Sequence, residues 1–264
     1  MESIQSTLTG IWDSAAPAIM GALLLLLVPT LYFFTLRARA LLCAGKPLPL
    51  RRMPAFERLS RAMDTAAETG RPPHISLGTG AVGDSSTAES LAALHLLAPL
   101  SQQAAAYGVH PVVTAADAGL MLAAQDRLRQ AFRQRGQERE YRFTDVQLIA
   151  PEPTAYAAGA MGLLSRQELS GNVMAGAFGE EYFLMAEVGA WKQPEQVAGA
   201  ADPGVLPFVH VTSEAPLLGE EMFTAGAYLG KWASHIGSLF AQDWMRVFLI
   251  LIILAGMFLA SWHG

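Results

Sequence analysis

The stretch HISLGTGAVGDSST, residues 74–87, decides how the chain is read. His74 to Leu77 reads as a short apolar strand, Gly78-x-Gly80-x-x-Gly83 breaks it, and a helix opens at Ser86. Strand, glycine turn and helix in that order form a phosphate-cradling turn. Glycines let the backbone approach an anion closely, and N–H groups at the helix start point at it. Ser85 and Ser86 add hydroxyl donors, and Asp117, at the end of the next strand, stands where a ribose-binding carboxylate belongs. Gly78, Gly80, Gly83, Ser85, Ser86 and Asp117 are therefore the candidate site for a nucleotide or dinucleotide. Two features oppose it. Asp117 lies 34 residues beyond Gly83, where roughly 20 from the motif is usual, and Asp84 puts a negative charge where phosphate would sit. Ser86-Thr87-Ala88-Glu89 also has the form of a capping box, which would explain the hydroxyls as helix initiation.

Beyond the turn, strand-like and helix-like segments alternate. Apolar runs at 74–77, 111–116, 146–150, 172–177 and 207–212 read as strands, although the glycine-rich NVMAGAFG of the fourth also suits the start of a buried helix. The segments 86–107, 120–134, 154–164, 180–191 and from Glu214 onward read as helices. This pattern predicts an α/β fold over residues 74–243: a Rossmann-like, mostly parallel sheet with helices on both faces. A carboxylate follows each expected strand: Asp84, Asp117, Glu152, Glu180 with Glu181, and Glu214. Helix-dipole complementation explains them most simply. Their convergence on a cation or amine is the alternative. No metal site is assigned.

The flanks point to a membrane. From Ala15 to Leu36 nothing is charged, and as a helix that run would span roughly 33 Å, enough for a hydrocarbon core. A second apolar run, Val247 to Trp262, is bracketed by Trp244 and Trp262. Two transmembrane helices are expected, at 15–36 and 244–262. No Lys or Arg precedes the first run, which argues against a cleaved signal peptide. Arg37, Arg39, Lys46, Arg51 and Arg52 follow it closely. Positive charge then places the middle of the chain in the cytoplasm and both termini, including residues 1–14, outside the cytoplasmic membrane. The single cysteine, Cys43, excludes an internal disulfide. Net charge of −5 disfavours nucleic acid as a partner. Residues 37–73 read as a juxtamembrane linker. Within it Phe56, Leu59 and Met63 recur at helical spacing, suiting a helix on the bilayer surface or one packed on the domain.

The arginines from Arg127 to Arg142 read as a solvated helix face, with anionic lipid as an alternative partner. His95 reads as a boundary residue of an apolar helix, and His210 as part of the strand FVHVTS. The small residues from Thr154 to Gly162 suit close packing or a subunit contact. The chain lacks a Gly-x-Ser-x-Gly elbow, a Walker lysine and a His-Glu-x-x-His pair, so no catalytic residue is assigned.

The layout, with GTGAVGDSSTAESLAALHLL after the linker and FVHVTSEAPLLGEE before the last helix, resembles an uncharacterised bacterial membrane-protein family catalogued as a domain of unknown function. That resemblance implies no activity. The leading expectation is a membrane-anchored binding or scaffold protein that senses a small ligand at the strand C-terminal edge. Its partners would be the bilayer and a second copy or another membrane protein. The alternative is a tethered enzyme using a nucleotide or dinucleotide.

Overall fold

The computed structural model describes residues 21, 25, 27–45, 50–192 and 195–263. The described chain divides into two units: the helical segments up to residue 45 and from Lys231 on, and Leu50–Gly230.

In the first unit, helix α1 covers residues 27–43 and α9 covers Ala233–His263. From Ala233 to Leu254, α9 is long and apolar enough to cross a membrane by length and composition. Among the described residues it is the one such helix. The expected first span, Ala15–Leu36, lies partly outside the described residues, and its described part from residue 27 on is helical. ASHIGSLFAQDW continues into the apolar run without a break, with the helix starting only at Ala233. The two helices approach closely at Gly237, where a Cβ would lie 2.6 Å from the Thr35 backbone. Phe34 and Phe240 meet beside this point, with centroids 6.4 Å apart.

The second unit begins with α2 (Pro54–Thr69) and builds a six-stranded, all-parallel sheet. Its strands are β1 (His74–Gly78), β2 (Val112–Ala115), β3 (Val146–Leu148), β4 (Asn172–Ala177), β5 (Gln196–Ala200) and β6 (Leu217–Leu218). Their spatial order is β3-β2-β1-β4-β5-β6. The connecting helices are α3 (Thr87–Tyr107), α4 (Ala118–Gln134), α5 (Pro153–Arg166), α6 (Tyr182–Lys192) and α7 (Leu206–Thr212). A 3-10 turn and the short α8 (Ala225–Tyr228) close the unit.

Alternation along the strands sorts the helices onto two faces. Ile75, Leu77, Val113, Ala115, Val173 and Val197 share one core with buried residues of α2, α3, α4 and α8. Met174, Ala198 and Ala200 share the other with α5, α6 and α7. The crossovers β1–α3–β2 and β2–α4–β3 use one face, and those through α5, α6 and α7 use the other. On the first face α2 and the closing segment take the place of further crossover helices. This is why α2 buries Phe56, Leu59, Ala62 and Met63. Of the two settings open to that helix, packing on the domain is the observed one.

Two expected elements differ. Residues 207–212 form helix α7, not a strand, because Pro207 sits in its first turn and the buried residues Val205 and Val209 are four apart. Spacing of four is a helical stripe; a strand would bury every second residue. The fifth strand is Gln196–Ala200, whose sequence QVAGA carries little β-branched signal. Small residues are required there: a Cβ on Gly199 would sit 3.1 Å from Leu217 Cβ. After Glu214 the chain forms β6 and the 3-10 turn before any helix.

Candidate functional site

The glycine turn lies at the C-terminal end of β1, beside β4, where the strand order reverses. Open α/β sheets bind ligands at such a point. Its glycines have local structural causes. Gly78, at φ +85°, lies where β1 and β4 shift register, and a Cβ there would sit 2.3 Å from the Ala177 carbonyl oxygen. A Cβ on Gly80 would come within 2.7 Å of Ala177 Cβ, Ser86 Oγ and Ser90 Oγ, so this glycine lets the turn lie against α3 and β4. Gly83, at φ +113°, faces open space and is required by its backbone conformation alone.

Part of the turn is bonded to itself. Ala81 N–H donates to Ser86 Oγ (3.0 Å), and Gly83 N–H donates to Thr87 Oγ1 (2.8 Å). Asp84 Oδ1 accepts from both Ser86 N–H (2.8 Å) and Ser86 Oγ (2.6 Å). Those bonds, the Ser86 hydroxyl first, hold the Asp84 carboxyl below its ordinary range. The capping-box expectation is thereby corrected. Ser86 is the N-cap of α3, but its side chain makes no cap bond to the helix because it is turned back onto Asp84 and Ala81. Asp84 is thus an exposed carboxylate within the turn, held by Ser86. Ser85 is exposed, and Ser90 Oγ is buried without a partner among the described residues.

The neighbouring edge is acidic and laced together. Asp117 Oδ1 caps α4 by accepting from Leu120 N–H at 2.7 Å, and Glu152 Oε2 caps α5 by accepting from Ala155 N–H at 2.6 Å. The latter bond lowers the Glu152 pKa. Glu181 Oε1 accepts from Thr79 Oγ1 (2.9 Å) and Gly179 N–H (2.8 Å), tying the loop after β4 to the turn after β1. Burial, then the charges of Asp202 and Asp84, raise the Glu89 carboxyl. Asp202 follows β5 and is the carboxylate that the misplaced fifth strand concealed. Glu214 instead pairs with Arg58 and precedes β6. Helix capping thus accounts for Asp117 and Glu152. Among the described residues no three His, Cys, Asp or Glu side chains come together as a metal site.

The other singled-out residues are dispersed. His210 is exposed on α7 rather than inside a strand. The end of α7 lies by the start of β5, since Thr212 O accepts from Gln196 Nε2, which takes His210 away from the ligand edge. Arg127, Arg129, Arg133, Arg135, Arg139 and Arg142 are exposed, with Arg129 paired to Glu138. The small residues of α5 serve close packing: a Cβ on Gly159 would lie 2.2 Å from Ile149 Cγ2.

Two features escaped the sequence. The first is a buried polar network on the α5–α7 face of the sheet. His74, Asn172 and Gln196 are aligned in register on β1, β4 and β5. Asn172 Nδ2 donates to Gln196 Oε1, which leaves Asn172 Oδ1 to accept from His74 Nδ1–H at 2.7 Å. His74 Nε2 then accepts from Thr114 Oγ1 at 3.0 Å. With that hydroxyl's proton committed, Tyr156 Oη donates to Thr114 and accepts from Ser76 Oγ. Burial pushes His74 down to about 4 and Tyr156 up to about 12, so both are neutral at pH 7. A polar residue alternating with Ile75, Leu77, Val113 and Val173 was the available signal.

The second feature is an apolar outer surface on α6 and α7. Phe183 and Phe208 meet at 5.4 Å between centroids, Trp191 is 84% exposed and Val211 82%. In YFLMAEVGAWK apolar residues run nearly all round the helix, the pattern of one that is covered on its outer side.

The model of the family described as Domain of unknown function (DUF6754) matches residues 12–264. The chain belongs to this family. No curated protein and no solved structure gives a significant match. The family covers the α/β unit and α9 alike. Its description carries no activity to set beside the turn.

Proposed function

We propose that this chain is a membrane-anchored binding or scaffold protein, not a nucleotide-dependent enzyme. The apolar surface of α6 and α7 carries the reading, because exposed aromatic patches on soluble faces mark places where another protein sits. We take a second copy as the first occupant, with another membrane protein as the alternative. α9 supports the anchor, with 15–36 as a second span, the α/β unit in the cytoplasm and the family as bacterial membrane proteins. The strand order β3-β2-β1-β4-β5-β6 supports a Rossmann-like description. The bonds of Asp84 and Thr87 within the turn and its acidic surroundings argue against phosphate there.

The test is the mass of the full-length protein in detergent by light scattering. The wild type is expected as an oligomer, and Trp191→Glu with Val211→Glu is expected to run as a monomer with unchanged circular dichroism. A wild-type monomer that also fails to cross-link in vesicles sinks the self-association. The enzyme reading keeps one favourable observation, a glycine turn at the switch point. A nucleotide at about 100 times its Kd would add about 2.7 kcal/mol to stability. No such shift in melting is expected.

A further inference from the structure

We propose that an open groove at the chain-exit pole of the α/β unit holds the headgroup of an anionic phospholipid. This rests on the membrane-anchor reading above. The groove, of about 500 Å³, is lined by the segment entering the unit, by α2 and by the segment leaving it. All its lining residues belong to the Leu50–Gly230 unit. Phe56 and Tyr228 stack within it at 5.0 Å and 17°, and Arg51, Arg52 and Arg61 line it as well. The surface therefore offers cations beside aromatic carbon, as an amphiphile's phosphate and glycerol region requires.

Charge points to an anionic lipid. From Arg37 to Arg52 the chain carries Arg37, Arg39, Lys46, Arg51 and Arg52 and no acid, a basic run of the kind that gathers anionic headgroups. The acids in the groove are Glu57 and Asp64, and Asp64 accepts from Tyr107 Oη at 3.0 Å. Arg51, 81% exposed, forms an exposed ion pair with Glu221 at 3.4 Å, and Arg61 a longer one with Glu195 at 3.8 Å. Arg52 is exposed and has no acidic partner among the described residues. Chain length supplies the location. Leu229 precedes the first residue of α9 by four positions, a reach of at most about 14 Å. The candidate span of α9 begins at Ala233, so the chain leaving the groove reaches the start of that span within this distance.

The experiment uses the full-length chain in vesicles doped with a photoactivatable phosphatidylglycerol, with cross-linked peptides mapped by mass spectrometry. Labels are expected within residues 50–64 and 226–230. Excess phosphatidylglycerol should compete and excess phosphatidylcholine should not. Arg51→Ser with Arg52→Ser is expected to weaken the competed labelling about tenfold or more, since each cation near an anionic surface carries about a fivefold effect. Labels within α9 should stay unchanged. Labels on α9 but none in the groove would overturn the headgroup site while leaving the anchor intact. Labelling abolished by soluble glycerol phosphate would overturn the lipid as occupant. A protein that does not float with the vesicles overturns the anchor and this proposal together.

Discussion

The two faces of one sheet are held in different ways. Toward α3 the strands present Ile75, Leu77, Val113 and Val173, and stabilisation comes from apolar area removed from water. Toward α5 and α6 the same strands present His74, Ser76, Thr114, Asn172 and Gln196, buried and joined in one directional chain. An apolar core tolerates exchange of one hydrocarbon for another. A buried polar chain tolerates little, because each member left without its partner costs the full desolvation of that group. The first face is apolar throughout, whereas the second combines its own apolar core with this polar chain.

That contrast breaks most sharply at Gly189. A Cβ there would lie 1.9 Å from Gln196 Oε1 and 2.5 Å from Asn172 Nδ2. Gly189→Ala should cost about 4 kcal/mol by overpacking and by parting the amide pair, read from denaturant melts of the full chain in detergent. On the other face Leu97→Ala should cost about 3 kcal/mol through its cavity, by the same amount at pH 7 and pH 5. A cost that changes with pH would merge the two faces.

Acid should act through the polar face. Folded His74 has a pKa of about 4, below the unfolded value of 6.5. Between those values the unfolded chain takes up a proton that the folded chain refuses. Stability is therefore full above pH 6.5 and falls, by up to about 3 kcal/mol from this group, as the pH drops to 4. His74→Gln should flatten that slope in melts across the same range. An undiminished slope assigns the acid sensitivity elsewhere. The smallest effect is expected at the end of the chain, where Ser76→Ala removes one hydroxyl and leaves Tyr156 its bond to Thr114, at about 1 kcal/mol. A loss as large as that of Gly189→Ala would mean that Ser76 is no terminus.

Much of the fold was legible. The strands at 74, 112 and 146 carry apolar runs that read locally, while the glycine-rich strand at 172 was open to a helical reading until its pairing with β1 was seen. The fifth strand was not legible, because a strand squeezed between neighbouring layers uses Ala and Gly where an isolated strand would use Val and Ile. FVHV carried the β-branched signal without being a strand, since Pro207 sets the helical start and Val205 and Val209 set its buried stripe. The candidate site was legible as a turn but not as an occupied one. Gly78, Gly80 and Gly83 announce a bend; whether its N–H groups remain free depends on where Asp84, Ser86 and Thr87 point.

The amino-acid sequence by itself determined the α/β class, the parallel sheet, the apolar C-terminal helix and the bend after β1, because periodicity and glycine placement act within a few residues. Tertiary structure alone decided that His74, Asn172 and Gln196 share one ladder, that the outer side of α6 stands exposed, and that Asp84 in the turn after β1 is bonded to Ser86. Those outcomes depend on residues distant in the chain meeting at hydrogen-bond range, and spacing along the chain carries no record of such meetings.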